Sequence, residues 1–137
     1  MKLSVAMITM NEERILEKTL ESVKDIADEI VIVDSGSTDR TEEIAKKYGA
    51  KFYVESWKGY GPQRNSAIDK ASGEWILNID ADEEISPELQ KKILEIKSST
   101  DDRSVFNVNF TSVCFGKKIR YGGWSNSYPV SYTHLTL

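Results

Sequence analysis

The chain has 137 residues, a net charge of −4 and 39% hydrophobic residues, which suits one compact domain with one continuous core. Acidic and basic residues are interspersed without a basic block, so the composition argues against a nucleic-acid partner. The single cysteine, Cys114, excludes an internal disulfide, and the first apolar run, Leu3 to Met10, is too short to cross a bilayer. With no signal peptide or anchor in view, we expect a cytoplasmic protein without a transmembrane segment.

Apolar periodicity predicts strands that alternate with helices along the chain. The predicted strands are Leu3–Thr9, Glu29–Val33, Lys51–Val54 and Glu74–Ile79. The predicted helices are Glu12–Val23, Thr41–Tyr48, Pro62–Ser72 and a segment that begins at Ser86-Pro87. From Val105 to Trp124 the pattern changes to that of a hairpin with Gly116-Lys117 as its turn. This order predicts an α/β fold, a Rossmann-like and mostly parallel sheet with helices on both faces that ends in a β-hairpin.

Polar clusters follow three of the predicted parallel strands, at residues 9–12, 34–39 and 80–82. Parallel sheets bind ligands beyond the carboxyl ends of their strands, so the order of the elements alone predicts one site there. The glycine-rich dinucleotide fingerprint and the P-loop are both absent from the sequence. Carboxylates and a metal ion are therefore the expected means of holding a nucleotide.

Asp80 and Asp82 follow an apolar strand and are two residues apart, so their side chains point the same way as the strand ends. Two like charges this close are best tolerated around a hard cation such as Mg²⁺ or Mn²⁺. The alternative is a solvated acidic turn before a helix. An EF-hand calcium loop is excluded because Glu84 and Ile85 stand where a third ligand and a glycine are required.

The other two clusters allow both binding and structural roles. Asp34 ends a strand and can accept hydrogen bonds from the base or ribose of a nucleotide, and Gly36 permits a close approach of the backbone to a ligand. Asp39 has the spacing of a helix cap. Asn11 fits a cap or a ligand role equally, and Glu12 fits a nucleoside contact or a favourable position in the helix dipole.

Arg64 lies in the first turn of the helix predicted from Pro62. A cation is unfavourable at that end of a helix, so Arg64 is expected to have an anionic partner. That partner is a diphosphate, Asp34 or Asp80.

The stretches 8–13, 31–39, 61–65 and 73–83, in this order and spacing, resemble family 2 glycosyltransferases, and the likeness covers about residues 3–124. Within that family the chain is most similar to the branch of lipopolysaccharide-core glucosyltransferases. The resemblance implies a GT-A fold and an inverting transfer from a nucleoside-diphosphate sugar, with uridine as the expected base. The implied acceptor is a saccharide or a lipid-linked saccharide of the cell envelope.

The resemblance also implies roles for individual residues. Asp80 and Asp82 would hold the Mg²⁺ or Mn²⁺ ion against the diphosphate. The donor-binding set that it implies is Thr9, Asn11, Glu12, Asp34, Ser37, Arg64 and Asp80.

In the family the catalytic base follows the Asp-x-Asp segment, within an acceptor-binding half that we expect this chain to lack. The catalytic residues are therefore unassigned, and residues 1–124 are interpreted as an incomplete nucleotide-sugar-binding domain. Residues 125–137 depart from the family pattern and are predicted to be a non-native or disordered tail. The alternative function is that of a non-catalytic nucleotide-sugar-binding fragment, and peripheral attachment of the full-length parent to the inner membrane is left open.

Overall fold

In a computed structural model, residues 2–99 and the strands at 105–107, 113–114, 117–118 and 130–133 are described. The elements in chain order are β1 (Leu3–Thr9), α1 (Leu16–Val23), β2 (Glu29–Asp34), α2 (Thr41–Lys47), β3 (Lys51–Val54), α3 (Tyr60–Lys70), β4 (Trp75–Asn78), α4 (Pro87–Ser98), β5 (Val105–Asn107), β6 (Val113–Cys114), β7 (Lys117–Lys118) and β8 (Val130–Thr133). The main sheet has the order β3-β2-β1-β4-β8-β5. Strands β1 to β4 are parallel and β8 is antiparallel to both its neighbours. The predicted α/β architecture is confirmed.

Both faces of the sheet are covered by helices, as the sequence predicts. Side chains that alternate along β1 and β2 face two separate apolar clusters. Met7 of β1 and Ile32 of β2 lie in the larger cluster, with buried residues of α1 and α2 and half-buried ones of α4. Ala6 and Val31 lie in the smaller cluster, with Ala67 of α3. All of β2 is buried, so the centre of the sheet gives the carboxyl ends of β1, β2 and β4 a rigid base.

The helix starts differ from their predicted positions for local reasons. Helix α1 begins at Leu16, four residues later than predicted, after a turn at residues 13–15. Asn11, before that turn, adopts a left-handed conformation (φ 53°). Helix α3 begins at Tyr60, two residues before Pro62. A proline is tolerated within the first turn, since the N–H groups of that turn have no helical partner. Gly59 precedes this helix with φ 101°, a conformation that favours glycine.

The predicted hairpin is present as the antiparallel β6–β7 ribbon, in which Cys114 pairs with Lys117. Lys117 therefore belongs to a strand and not to the predicted Gly116-Lys117 turn. Strand β8 lies between β4 and β5. The remainder of the segment 105–124 lies outside the described residues, and the non-native origin of residues 125–137 stays a prediction.

Among the helices that the structure describes, none combines the length and apolar character needed to cross a membrane.

Glu29, at the start of β2, ties the amino ends of the strands together. Its buried carboxylate accepts hydrogen bonds from Ser4 Oγ, Lys51 Nζ (2.6 Å) and the Ser72 N–H (2.8 Å). Burial acts to raise the pKa of Glu29, but these donors outweigh it and lower the pKa to about 2.

We expect Glu29→Gln to destabilise the fold at neutral pH by about 3 kcal/mol, the free energy that corresponds to a fall of the pKa from 4.5 to about 2. Because folding lowers this pKa, the contribution is complete above pH 4.5 and is lost as the pH falls from there towards 2. Urea unfolding at pH 7 and pH 3 measures the effect, and the exposed Glu74→Gln is the control. An equal difference between Glu29→Gln and wild type at both pH values would contradict the assignment.

Candidate functional site

A cleft of about 530 Å³ opens at the carboxyl ends of β1, β2 and β4, where the sequence predicts a site. It combines the ends of three strands with the loop that precedes α3 and the first turns of that helix. Its lining residues are Ile8, Thr9, Met10, Glu12, Ser35, Trp57, Tyr60, Arg64, Asp80, Ala81 and Asp82. The volume is within the usual range for a small-molecule site.

Three carboxylates converge at the end of β4. Asp80, Asp82 and Glu83 each place an oxygen within 4.8 Å of the others, and the Asp80 N–H donates to Glu83 Oε2 at 2.8 Å. Burial raises the pKa of Glu83 to about 7, and the charges of Asp80 and Asp82 act in the same direction. Oxygen ligands in this arrangement suit a hard divalent cation. Glu83 was not among the predicted ligands. Its position directly after Asp82 is the sequence feature that could have indicated it.

Arg64 pairs with one of its three expected partners. Its Nη2 lies 2.5 Å from Asp80 Oδ1, so α3 and the end of β4 meet across the cleft. The Arg64 Nε is buried and has no hydrogen-bond partner among the described residues. A buried N–H group without a partner is costly, so this atom marks a place where a ligand acceptor would be stabilised.

The sequence suggested that Asp34, at the end of a strand, contacts a nucleotide. The structure places its side chain elsewhere. It is 1% exposed and is not among the residues that line the cleft. Its oxygens accept four hydrogen bonds, from Thr9 Oγ1, the Gly36 N–H, and the N–H and Oγ of Ser37. These contacts satisfy the lone pairs of the carboxylate. Asp34 therefore organises the loop, and its proposed contact with a base stays a prediction.

Asn11 and Ser37 join the loops that follow β1 and β2. The Asn11 N–H donates to Ser37 Oγ at 2.7 Å, and Asn11 Oδ1 accepts from the Thr38 N–H at 2.9 Å. Neither residue lines the cleft. Asp39 accepts from the N–H and Oγ of Thr41, which agrees with its structural reading. These side chains support the two loops, and the donor-binding roles of Asn11 and Ser37 stay predictions.

Glu12 and Thr9 do line the cleft. Burial and the negative charges of Asp82, Asp39 and Asp80 raise the pKa of Glu12, which places a fourth carboxylate in the electrostatic field of the acidic cluster. The Thr9 hydroxyl is already committed to Asp34 at 2.7 Å.

Six of the lining residues are not among the predicted site residues: Ile8, Met10, Ser35, Trp57, Tyr60 and Ala81. Ser35 Oγ is buried and has no hydrogen-bond partner in the part of the chain that the structure describes. Trp57 and Tyr60 are exposed aromatic residues on either side of Gly59. The sequence feature that could have indicated these two residues is the presence of two large aromatic side chains beside glycines in a short loop.

Fold and site together define an α/β protein with an acidic cleft at the carboxyl edge of its sheet. The family model for glycosyl transferase family 2 matches residues 4–132, and the chain belongs to this family. A glycosyltransferase of Rickettsia bellii is 50% identical over 98 residues, which cover 72% of this chain and 33% of that protein. The lipopolysaccharide core biosynthesis glycosyltransferase LpsC of Rhizobium meliloti is 40% identical over 105 residues, which cover 73% of this chain and 38% of that protein. The chain thus spans about a third of the length of these relatives.

Solved structures confirm the GT-A fold that the resemblance implied. TarS of S. aureus, in complex with UDP, matches with a TM-score of 0.57 and 34% identity, covering 69% of this chain and 31% of that chain. The mannosyltransferase PcManGT of Pyrobaculum calidifontis matches with a TM-score of 0.61 and 24% identity, covering 76% of this chain and 34% of that one. The second match supports the fold alone.

We expect Asp34→Ala to lower the free energy of unfolding by about 2–4 kcal/mol, because it leaves buried donors without an acceptor. Asp34→Asn keeps one acceptor oxygen for the Gly36 and Ser37 N–H groups and is expected to cost less. Chemical denaturation of both variants measures the difference. Wild-type stability in Asp34→Ala would show that the loop does not depend on this carboxylate.

Proposed function

We propose that this chain binds a nucleoside-diphosphate sugar, specifically a UDP-sugar, in the cleft at the carboxyl edge of the sheet. The observation that carries the proposal is the convergence of Asp80, Asp82 and Arg64 in that cleft, with Glu83 beside the two aspartates in the acidic cluster. For the whole protein we propose transfer of the sugar, with inversion, to a hydroxyl of a saccharide or lipid-linked saccharide. The process would be the synthesis of cell-envelope polysaccharide or lipopolysaccharide.

The close spacing of the three carboxylates is better explained by a bound divalent cation than by carboxylates that hold no ligand. Burial raises the pKa of Glu83, and the charges of Asp80 and Asp82 add to this effect, because three acidic groups within 4.8 Å of one another repel. Asp80 and Asp82, with Glu83 beside them, would hold Mg²⁺ or Mn²⁺ and keep coordination positions open for phosphate oxygens. Such an ion supplies positive charge to a diphosphate as it leaves the sugar.

Arg64 is the cation of this chain best placed to act on the same phosphates. It is held by Asp80 through one nitrogen, while its Nε stays without a partner among the described residues. A guanidinium group can bind a carboxylate and a phosphate at the same time, since it has five N–H donors in a fixed plane. Arg64 would therefore orient the diphosphate relative to the acidic cluster before transfer occurs.

Support for the finer assignments comes from similar proteins. TarS was solved in complex with UDP, as was the glucosyl-3-phosphoglycerate synthase of Mycobacterium tuberculosis, which is 30% identical with a TM-score of 0.51 and covers 60% of this chain and 34% of that chain. LpsC acts in lipopolysaccharide core biosynthesis by its name, which supports an envelope saccharide as the acceptor. No catalytic base is assigned among the described residues.

The donor site is tested by calorimetric titration of UDP and then of UDP-glucose into the purified chain, with Mn²⁺ and again with a chelator. We expect binding that depends on the metal. Asp82→Ala should weaken it at least tenfold, because the variant removes a ligand oxygen and leaves the Arg64–Asp80 pair intact. Glu84→Ala is the matched control, since Glu84 is an exposed carboxylate two residues away that lies outside the cluster.

Two results would contradict the proposal. One is the absence of nucleotide binding by a wild-type chain whose circular dichroism spectrum shows that it is folded. The other is an equal effect of Asp82→Ala and Glu84→Ala, which would indicate a general effect of surface charge.

A further inference from the structure

Strand β3 lies at one end of the main sheet, and β2 is its only partner among the strands that the structure describes. Two large hydrophobic side chains of β3 are exposed, Tyr53 to 38% and Val54 to 63%. An edge strand also presents backbone N–H and C=O groups on its outer side, and these are a template for pairing with another strand. The edge of β3 therefore offers both apolar surface and hydrogen-bonding groups.

The parallel ladder between β2 and β3 determines which backbone groups face outwards. The Glu55 N–H donates to the Asp34 carbonyl at 2.8 Å, so Glu55 directs its N–H towards β2. Residues that bond to a given neighbouring strand alternate along a parallel ladder, so Tyr53 is directed towards β2 as well. The N–H and C=O groups of Phe52 and Val54 consequently point away from the sheet.

The outward-facing residues form a self-complementary pattern. When a second copy of β3 runs antiparallel beside the first with Tyr53 opposite Tyr53, Phe52 of each copy lies opposite Val54 of the other. Each of these pairs can exchange two backbone hydrogen bonds. The arrangement closes on itself about a two-fold axis, as in most homodimers.

The charges of the strand match the same register. Lys51 of one copy lies opposite Glu55 of the other, and opposite charges in this position are favourable. Within one chain, Lys51 already bonds to Glu29 at 2.6 Å and Glu55 bonds to Lys70 at 2.7 Å, so the pairing would extend a row of alternating charges. A parallel pairing in register would instead place like charges together.

The apolar side chains fit the arrangement too. The Tyr53 ring lies under Lys70, whose Nζ is 5.4 Å from the ring centroid, and two such rings would meet at the two-fold axis. Phe52 is half-buried against the larger apolar cluster. Val54 of the second copy would cover it and lose its own exposure. Cross-strand pairs of aromatic and β-branched side chains stabilise antiparallel strands.

We propose that β3 is a homodimer interface, in which residues 51–55 of two copies pair antiparallel and join their sheets into one. None of these residues lines the cleft, so each copy keeps its own ligand site and the inference is independent of the proposed function. The paired segment is short, so the dimer is expected to be weak and to depend on protein concentration.

Disulfide trapping tests the register. In a Cys114→Ser background, which removes the single native cysteine, we expect Tyr53→Cys to form a disulfide-linked dimer under mild oxidation. Opposite residues of a pair without backbone hydrogen bonds have Cα atoms about 4.5 Å apart, within the range of about 4.4–6.8 Å that a disulfide spans. Val54→Cys is the matched control, because two copies of residue 54 lie diagonally, about 7–8 Å apart, and should not be linked.

Sedimentation equilibrium tests the association without a crosslink. The wild-type chain should shift towards twice its mass of 15.5 kDa as its concentration rises. Val54→Pro should remain monomeric, because proline removes an outward N–H group and leaves the ladder to β2 intact. Val54→Thr keeps that N–H group and should retain the dimer. Thermal unfolding of each variant establishes that it is folded.

Three results would overturn the inference. One is a wild-type chain that stays monomeric at every concentration while Tyr53→Cys forms no linked dimer. Another is equal crosslinking of Tyr53→Cys and Val54→Cys, or equal association of Val54→Pro and wild type, which would place the contact elsewhere. The third is growth beyond the dimer, which would indicate open-ended pairing in place of a closed two-fold interface.

Discussion

The carboxylate of Asp34 is the interaction on which the carboxyl edge of the sheet depends. Its four hydrogen bonds fix the end of β1 through Thr9 and the loop after β2 through Gly36 and Ser37. Its backbone carbonyl accepts the N–H of Glu55, at the start of the loop 55–59 that joins β3 to α3. A buried charge is tolerated only when its hydrogen-bonding capacity is met. The hydrogen bonds that Asp34 needs therefore hold three chain segments in a fixed arrangement around the cleft.

The cleft that results is electrostatically unbalanced. Glu12 and the cluster Asp80–Asp82–Glu83 place four carboxylates near a single lining cation, Arg64. The raised pKa values of Glu12 and Glu83 report the cost of this arrangement, which comes from burial and mutual repulsion. Strain of this kind is typical of functional sites. A divalent cation and a diphosphate together would remove it, because the cation neutralises the cluster and the phosphates then meet Arg64.

Strand-end aspartates show how far local reasoning reaches. Asp34 ends strand β2 and Asp80 follows strand β4, and position alone suggested ligand contacts for each. Asp80 does line the cleft, whereas Asp34 accepts four hydrogen bonds from nearby residues. The buried Ser35 Oγ beside it has no hydrogen-bond partner among the residues that the structure describes. Position in a strand predicts the edge at which a side chain lies. It does not predict which donors that side chain will meet, because these come from segments distant in the sequence.

The sequence by itself determined the order of strands and helices, the parallel sheet and the edge at which the cleft lies, since periodicity and turn residues are local properties. It also determined the family through four stretches in series. Only the tertiary structure decided that Arg64 pairs with Asp80 and that Glu83 joins the acidic cluster. It also brought Trp57 and Tyr60 to the rim of the cleft. These contacts arise where α3 crosses the sheet, and their geometry depends on packing between elements that no local pattern encodes.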